Sequence, residues 1–530
     1  MGAEVHPSFP NLPVPHPRPQ LSCARAERTF QEMPRINGSD EQQALRAVLS
    51  RREVLGALGA LAAGSLLIGC GSGSSGGTTP PGQLPEQPVP TGPLTTTTVT
   101  VSSTQSGTVP ASFAGLSYEK SKLSQPLFTG TNSNLIGLFK RLGKGLLRIG
   151  GNSVDETNWN GNGPGLTSGQ TAPPDVDNLA GFLSAVDWPA LYGVNLAQST
   201  PATAAAEVAY AAKSLGTNLF GIEIGNEVDL YAGHYFPAGW AFSDYLTLWQ
   251  NFASAILAQT PGVPLTGPVT AYNSTWFTSF AQAEAKDVAL LSMHYYRANG
   301  QDPSSNIALL LSYPDANLQN DLVPLRAASQ AAGVPYRIAE TNSFYNGGAP
   351  NVSDSYASAL WVLDHMFTIA QGGSVGVNLH GGGDSSGYTP IADADGVVVE
   401  ARPEYYGVLL FALAGQGPLL ATTVDAGGLN ASAYTIQNSP SQLSMILVNK
   451  DAAQNLQFTA TCPGGVLSAT LQVMTAPALP STDGVTIQGS PVILDGTFAP
   501  RSPYGLNVTG DTLTGYVPSA SAALVIVTLG

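Results

Sequence analysis

Charge is scarce in this 530-residue chain: Asp, Glu, Lys and Arg make up 11% of it, with 21 basic residues against 36 acidic ones. The formal net charge is -15, and the few cations are scattered rather than clustered. This argues against nucleic acid as a partner, and against electrostatic docking on anionic membranes or highly sulfated chains, all of which need basic surface. Cysteine is scarcer still. Cys23, Cys70 and Cys462 match neither a metal-ligand spacing nor a disulfide framework. Histidine is rare too, and His294 and His380 have no further His or Asp at ligand spacing, so no metal site is expected and no cofactor is implied.

What is abundant is apolar sequence, 43% of the chain, with 59 Gly and 40 Pro. That is enough for one large domain plus a smaller one. The first seventy residues read as an address. In "SRREVLGALGALAAGSLLIGC", Arg51 and Arg52 precede an apolar run, 54–68, too short to span a bilayer, and small residues precede Cys70. The Ser-Arg-Arg pair resembles a twin-arginine signal and the Leu-Ile-Gly-Cys ending a bacterial lipobox. The expectation is an exported protein, lipid-modified at Cys70 and otherwise without membrane contact; an ordinary cleaved signal is the alternative. Before Met33 the Pro-rich text has no core pattern, so an over-called start is one reading and a genuine extension the other.

Residues 71–98 are rich in Gly, Ser, Thr and Pro and read as a flexible tether. From 113 to 415, eight short apolar runs alternate with helix-like stretches: "FAGLSYE", "GLLRIGG", "LYGVNLAQ", "LFGIEIGNE", "VPLTGPV", "VALLSMHYY", "PYRIAETN" and "SVGVNLHGG". That number of units in that length predicts a (β/α)8 barrel. A doubly wound open sheet is disfavoured, because no Gly-rich phosphate loop follows the first run. Residues 416–530 turn to Thr/Ser/Val-rich alternation and predict an antiparallel β-sandwich. The segment 99–112 has the same texture and is expected to join it.

A barrel of this kind builds its site where strands end. Glu227 ends the fourth run and Glu340 the seventh, so two carboxylates are predicted to face each other across one mouth. Such a pair can cleave a glycosidic bond, one group donating a proton while the other attacks or stabilises the anomeric carbon. A solvated loop or salt-bridge role is the plainer reading for either Glu alone.

The "GNE" on strand four and the Glu ending strand seven resemble the large clan of retaining glycoside hydrolases on (β/α)8 barrels. The wording "LLRIGGNSVD", "SMHYYRANG" and "AETNSFYNGG" is similar to glycoside hydrolase family 79, which contains β-glucuronidases and heparanase. The resemblance implies Glu227 as acid/base and Glu340 as nucleophile, with a carboxyl separation of about 5 Å. It implies Asn226 on the sugar 2-hydroxyl, Tyr296 and Arg148 beside the nucleophile, and Tyr345, the backbone around Gly347, and Tyr388 on the substrate carboxylate. No Lys or Arg follows Glu340 before Arg402, so that loop can offer a carboxylate only neutral donors. Glu119, Asn152 and Asp155 are further candidates for sugar hydroxyls, and Tyr231, His234 and Tyr235 for the leaving-group side.

The expected activity is therefore retaining, exo-acting hydrolysis of terminal β-linked glucuronic acid. An endo-acting heparanase-like enzyme, a same-clan enzyme for a neutral sugar, and a polysaccharide-binding lipoprotein without catalysis stay open. Oligomeric state is not legible.

Overall fold

The structure, a computed structural model, describes residues 84–381 and 387–530. The export signal, Cys70 and the tether up to residue 83 lie outside the described residues. Among those described, no helix is long and apolar enough to cross a membrane.

Eight parallel strands close into a barrel in sequence order: Ala114–Glu119, Leu146–Gly150, Ala190–Val194, Leu219–Ile224, Leu265–Thr270, Leu290–Tyr296, Tyr336–Asn342 and Val377–Gly381. They coincide with the eight apolar runs. The intervening helices carry the expected stops and starts. Asn132 caps the helix Ser133–Leu142 through the Leu135 N–H at 3.3 Å, and Gly216 closes Pro201–Leu215 at φ 55°.

Strand alternation sorts the side chains into two sets. Leu147 and Ile149, Ile222 and Ile224, and Leu291 and Met293 point outward into the main core beneath the helices. Their neighbours point into the barrel, where Leu146, Leu191, Leu290 and Ala339 form a small apolar plug. Below the plug, the buried Arg337 guanidinium bonds Asn378 Oδ1 at 2.5 Å and the carbonyls of Ser112, Phe113 and Val377 at 3.0 Å each. Gly115 and Gly376 make room for it, since a Cβ at either would lie within 2.6 Å of the guanidinium. Burial lowers the Arg337 pKa to about 9, a shift the Glu223 charge opposes only in part.

Eleven further strands form one continuous, mostly antiparallel sheet around a second core that includes Leu443, Met445, Leu447, Phe458 and Val525, while Asn158–Trp159 with Gln170–Thr171 and Ile391–Ala394 with Val397–Ala401 make two-stranded pairs. The large sheet's other face, with Ile446, Val448 and Leu524, packs into the main core with the barrel. The strand Leu94–Val109 lies within that sheet, antiparallel to Gly417–Asp425 and parallel to Asn455–Thr461.

One boundary needs correction. Residues 84–98, assigned from sequence to the flexible tether, are held on this sheet. Gly505 N donates to Pro85 O at 2.9 Å, Gln87 exchanges two hydrogen bonds with Tyr516 at 2.7 and 2.8 Å, and the strand begins at Leu94. The threonine run that looks like low complexity is a strand face: Thr97 is buried beside Val99 and Val101.

Candidate active site

Glu340 is built into position by a break in strand register. Arg337 and Ala339 point into the barrel, so simple alternation would turn Glu340 outward. The pairing with the sixth strand runs Ile338 to Met293 and then Glu340 to His294, skipping a residue. This bulge re-aims the carboxylate into the barrel mouth.

Around it stands a buried polar network. The fully buried Arg148 donates from Nε to Glu223 at 2.5 Å, from one terminal nitrogen to Glu340 Oε2 at 2.6 Å and Ser117 Oγ at 3.1 Å, and from the other to Asn226 Oδ1 at 2.8 Å. Tyr296 donates its phenol to Glu340 Oε1 at 2.8 Å. His294 Nδ1 and His380 Nδ1 lie 3.9 and 3.8 Å from Glu340 Oε2. Burial pushes the Glu340 carboxyl up, but His380, His294 and Arg148, together with the Tyr296 bond, hold it well below the usual carboxylate range. Burial and the Glu340 charge push the Tyr296 phenol well above its ordinary value, so it stays a donor.

Two glycines of "LLRIGGN" make space for this network. A Cβ at Gly150 would sit 2.4 Å from the Arg148 guanidinium carbon, and one at Gly151, where φ is 74°, would sit 2.5 Å from the Glu119 carboxyl.

Glu227 follows the fourth strand on a tight turn. Gly225 has φ 88° and Glu227 itself is left-handed at φ 49°, which a non-glycine residue adopts at a cost of about 1–2 kcal/mol. The turn is held from below: Asn226 N faces Asp155 Oδ2 and the Tyr231 hydroxyl, each at 3.2 Å, and Tyr231 donates to the same Asp155 oxygen. His294 Nδ1 lies 3.1 Å from Glu227 Oε1. A carboxylate oxygen of Glu227, a ring nitrogen of His294 and a carboxylate oxygen of Glu340 all fall within 4.8 Å of one another. Histidine spacing along the chain does not show this cluster, because the fold brings its members together from three strands.

The two glutamates open on a cavity of about 690 Å³, lined also by Asn152, Asn226, Tyr296, Tyr345 and Tyr388. Among the described residues, no Lys or Arg lines it. Arg148 stands beside the nucleophile, fully buried, and acts on Glu340, Glu223 and Asn226 rather than lining the cavity. Glu119 is likewise not on the wall: it accepts from Ser153 N at 2.8 Å and Ser153 Oγ at 2.5 Å, and it faces His380 Nε2 at 3.4 Å. Gly347 is exposed and not among the residues lining the cavity, and its carbonyl accepts from Tyr388 N at 3.3 Å. Asp155 is a brace for the Glu227 turn rather than a free acceptor, bonding Leu196 N at 2.9 Å and Ala197 N at 3.1 Å as well. Glu223 and Ser117 were not singled out from sequence. The available signal for Glu223 was a carboxylate alternating with Ile222 and Ile224 inside a strand, with an arginine in the same phase on strand two.

No family model matches the chain. A β-glucuronidase from Aspergillus niger is 25% identical over 303 residues, 50% of this chain and 56% of that protein. One from Neurospora crassa is 25% identical over 418 residues, 66% of this chain and 74% of that protein. The chain thus matches little more than half the length of the first of these curated relatives. Among solved structures, a 4-O-α-L-rhamnosyl-β-D-glucuronidase from Fusarium oxysporum 12S, in complex with Rha-GlcA, aligns with a TM-score of 0.67 at 18% identity, covering 84% of this chain and 99% of that one. An α-L-arabinofuranosidase from Thermotoga maritima aligns with a TM-score of 0.62 at 15% identity, covering 82% and 100%. The barrel and the β-sandwich are the fold of these two solved structures, and Glu227 and Glu340 approach each other at the barrel mouth.

Proposed function

We propose that the protein is a retaining, exo-acting β-glucuronidase of the family 79 type. The observation that carries the mechanism is the approach of Glu227 and Glu340 oxygens to within 4.8 Å. Inverting enzymes keep their carboxyl groups about 6.5–9.5 Å apart to admit a water, whereas retaining enzymes need about 5 Å. Glu340, held ionised and fixed through both oxygens, attacks C1 from one face while Glu227 protonates the departing oxygen. Glu227 then takes a proton from water, and that water displaces Glu340 from C1. Arg148 occupies the Asn226 amide oxygen and Asn152 Oδ1 accepts one Nδ2 proton at 3.2 Å, which leaves the second Nδ2 proton to donate to the sugar 2-hydroxyl.

The substrate class rests on the two β-glucuronidase relatives and on the loop after strand seven. Asn346, Gly347 and Gly348 all have positive φ, at 62°, 82° and 86°. Tyr345 and Tyr388 line the cavity beside them. Burial and the Glu340 charge raise the Tyr388 phenol, so it remains protonated and able to donate to a carboxylate. Export and lipid attachment at Cys70 remain part of the proposal on the sequence pattern alone.

A neutral sugar is the second reading, favoured by the lack of any cation on the described cavity wall. Hydrolysis of p-nitrophenyl β-glucuronide beside the matching glucoside, xyloside and α-arabinofuranoside separates the two. Preference for the glucuronide, lost in Glu227→Gln and Glu340→Gln, supports the proposal; preference for a neutral glycoside keeps the carboxylate mechanism and overturns the uronate assignment.

A further inference from the structure

The cavity wall divides by strand. Tyr296 and Glu340 stand on strands six and seven, and Tyr345 and Tyr388 in the loops after strands seven and eight, on the nucleophile side. Leu230, His234, Tyr235 and Tyr272 come from the loops after strands four and five, on the acid/base side. In a retaining reaction the departing group sits on the acid/base side, so this second wall faces the aglycone.

Two residues there are unusually open for their size: Tyr272 is 67% exposed and Leu230 43% exposed, and both line the cavity. An exposed tyrosine on a free loop would have to be ordered at binding, but this one hangs from a fixed backbone. Asp229, two residues after Glu227, accepts from the backbone N–H groups of Ala271 at 2.8 Å, Asn273 at 3.2 Å and Tyr272 at 3.4 Å. Asn273 then caps the next helix through Trp276 N at 3.1 Å. The acid/base segment and the tyrosine are thus clamped together, which lowers the ordering cost of a stacked ligand. No described cation lines the cavity, and Glu156 does, so an anionic aglycone would be repelled.

We propose that Tyr272 and Leu230 form a platform for an uncharged aryl leaving group, so that the preferred substrates are glycosides of neutral aromatic alcohols rather than anionic chains. The proposal rests on the retaining reading for its orientation, and on its own geometry for the ligand class.

The test compares the full chain with Tyr272→Ala, Tyr272→Phe and Leu230→Ser on 4-methylumbelliferyl and methyl β-glucuronides. The aryl-to-methyl ratio of kcat/KM cancels changes common to both substrates. It should fall about five- to tenfold in Tyr272→Ala, mostly through KM, and be retained in Tyr272→Phe. An unchanged ratio in Tyr272→Ala overturns the platform. If the wild type prefers another glycone, the glucuronide reading fails by itself, and the same aryl and methyl pair on that glycone reads the platform. A measurement without turnover stands beside it: NMR saturation transfer to free 4-methylumbelliferone should be present with the wild type and weakened in Tyr272→Ala. Equal transfer in the two proteins, or stronger transfer to a methyl glucoside than to the aryl alcohol, overturns the aryl assignment in favour of a sugar-binding or featureless wall.

Discussion

Arg148 makes four hydrogen bonds inside the barrel and is absent from the cavity wall, so its work is done through Glu340. Replacing it by Met leaves Glu223 and Glu340 as buried carboxylates without their cation, a loss of about 3–5 kcal/mol of stability measurable by urea unfolding. Among the causes that hold the Glu340 carboxyl below the ordinary range, Arg148 ranks after the two histidines. Its loss should therefore move the acid limb of kcat/KM to higher pH without abolishing it; an acid limb that does not move would separate Arg148 from the nucleophile. Both glutamates were legible from sequence, because each is a carboxylate at the end of an apolar run. The roles of Glu223 and Ser117 were not, because strand phase and neighbour order matter there, and residues 31 and 75 positions from Arg148 meet it only once the barrel closes.

At the scale of elements, turns and register decide where the chemistry sits. Apolar alternation located all eight strands, but it cannot foresee the bulge that turns Glu340 inward, since Ala339 and Glu340 fit either phase. Nor does it show that 84–98 belongs to the sheet: proline and threonine runs look the same in a tether and on a packed strand. The Gly225 turn before Glu227 has a sharper signature. A Cβ there would meet the Tyr231 hydroxyl at 2.7 Å in a left-handed conformation, whereas Gly143, with φ 78°, has nothing within 4 Å. Gly143→Ala is expected to cost about 1 kcal/mol, from backbone strain alone, and Gly225→Ala about 2–3 kcal/mol together with a drop in kcat as Glu227 shifts. Thermal melts with kcat on one substrate distinguish them; equal effects on both would mean that the Tyr231 contact does not set the turn.

Across the whole molecule, the barrel is fastened to the β-sandwich by polar as well as apolar contacts. Asp364, on the barrel helix Tyr356–Gln371, accepts from Lys450, Ser432 and Tyr434 (the last at 2.8 Å), and the Phe367 and Tyr434 rings stack at 4.4 Å. Asp364→Ala should cost about 3–5 kcal/mol in denaturant, because it leaves Lys450 buried and unpaired, and adding Lys450→Met should recover much of that loss. Glu404 gives the fold a pH dependence. Burial raises its carboxyl to about 8, and Asn342 Nδ2 approaches one oxygen at 3.2 Å. Below the unfolded value of about 4.3 both states hold the proton and nothing is lost. Between there and about 8 only the folded state keeps it, so stability falls as pH rises, and above 8 the contribution is gone. Glu404→Gln should match the wild type at pH 4 and exceed it by on the order of 5 kcal/mol at pH 9. Equal unfolding midpoints at pH 9 would rule out the buried proton.

In the proposed reaction Glu340 forms a covalent bond to the anomeric carbon of a glucuronide. Incubation with 2-deoxy-2-fluoro-β-glucuronyl fluoride, followed by intact mass and peptide mapping, reads it directly. One added fluoroglucuronyl group is expected on the peptide carrying Glu340, and none on Glu340→Gln. Turnover of the glucuronide without any adduct, or an adduct on another residue, would contradict it.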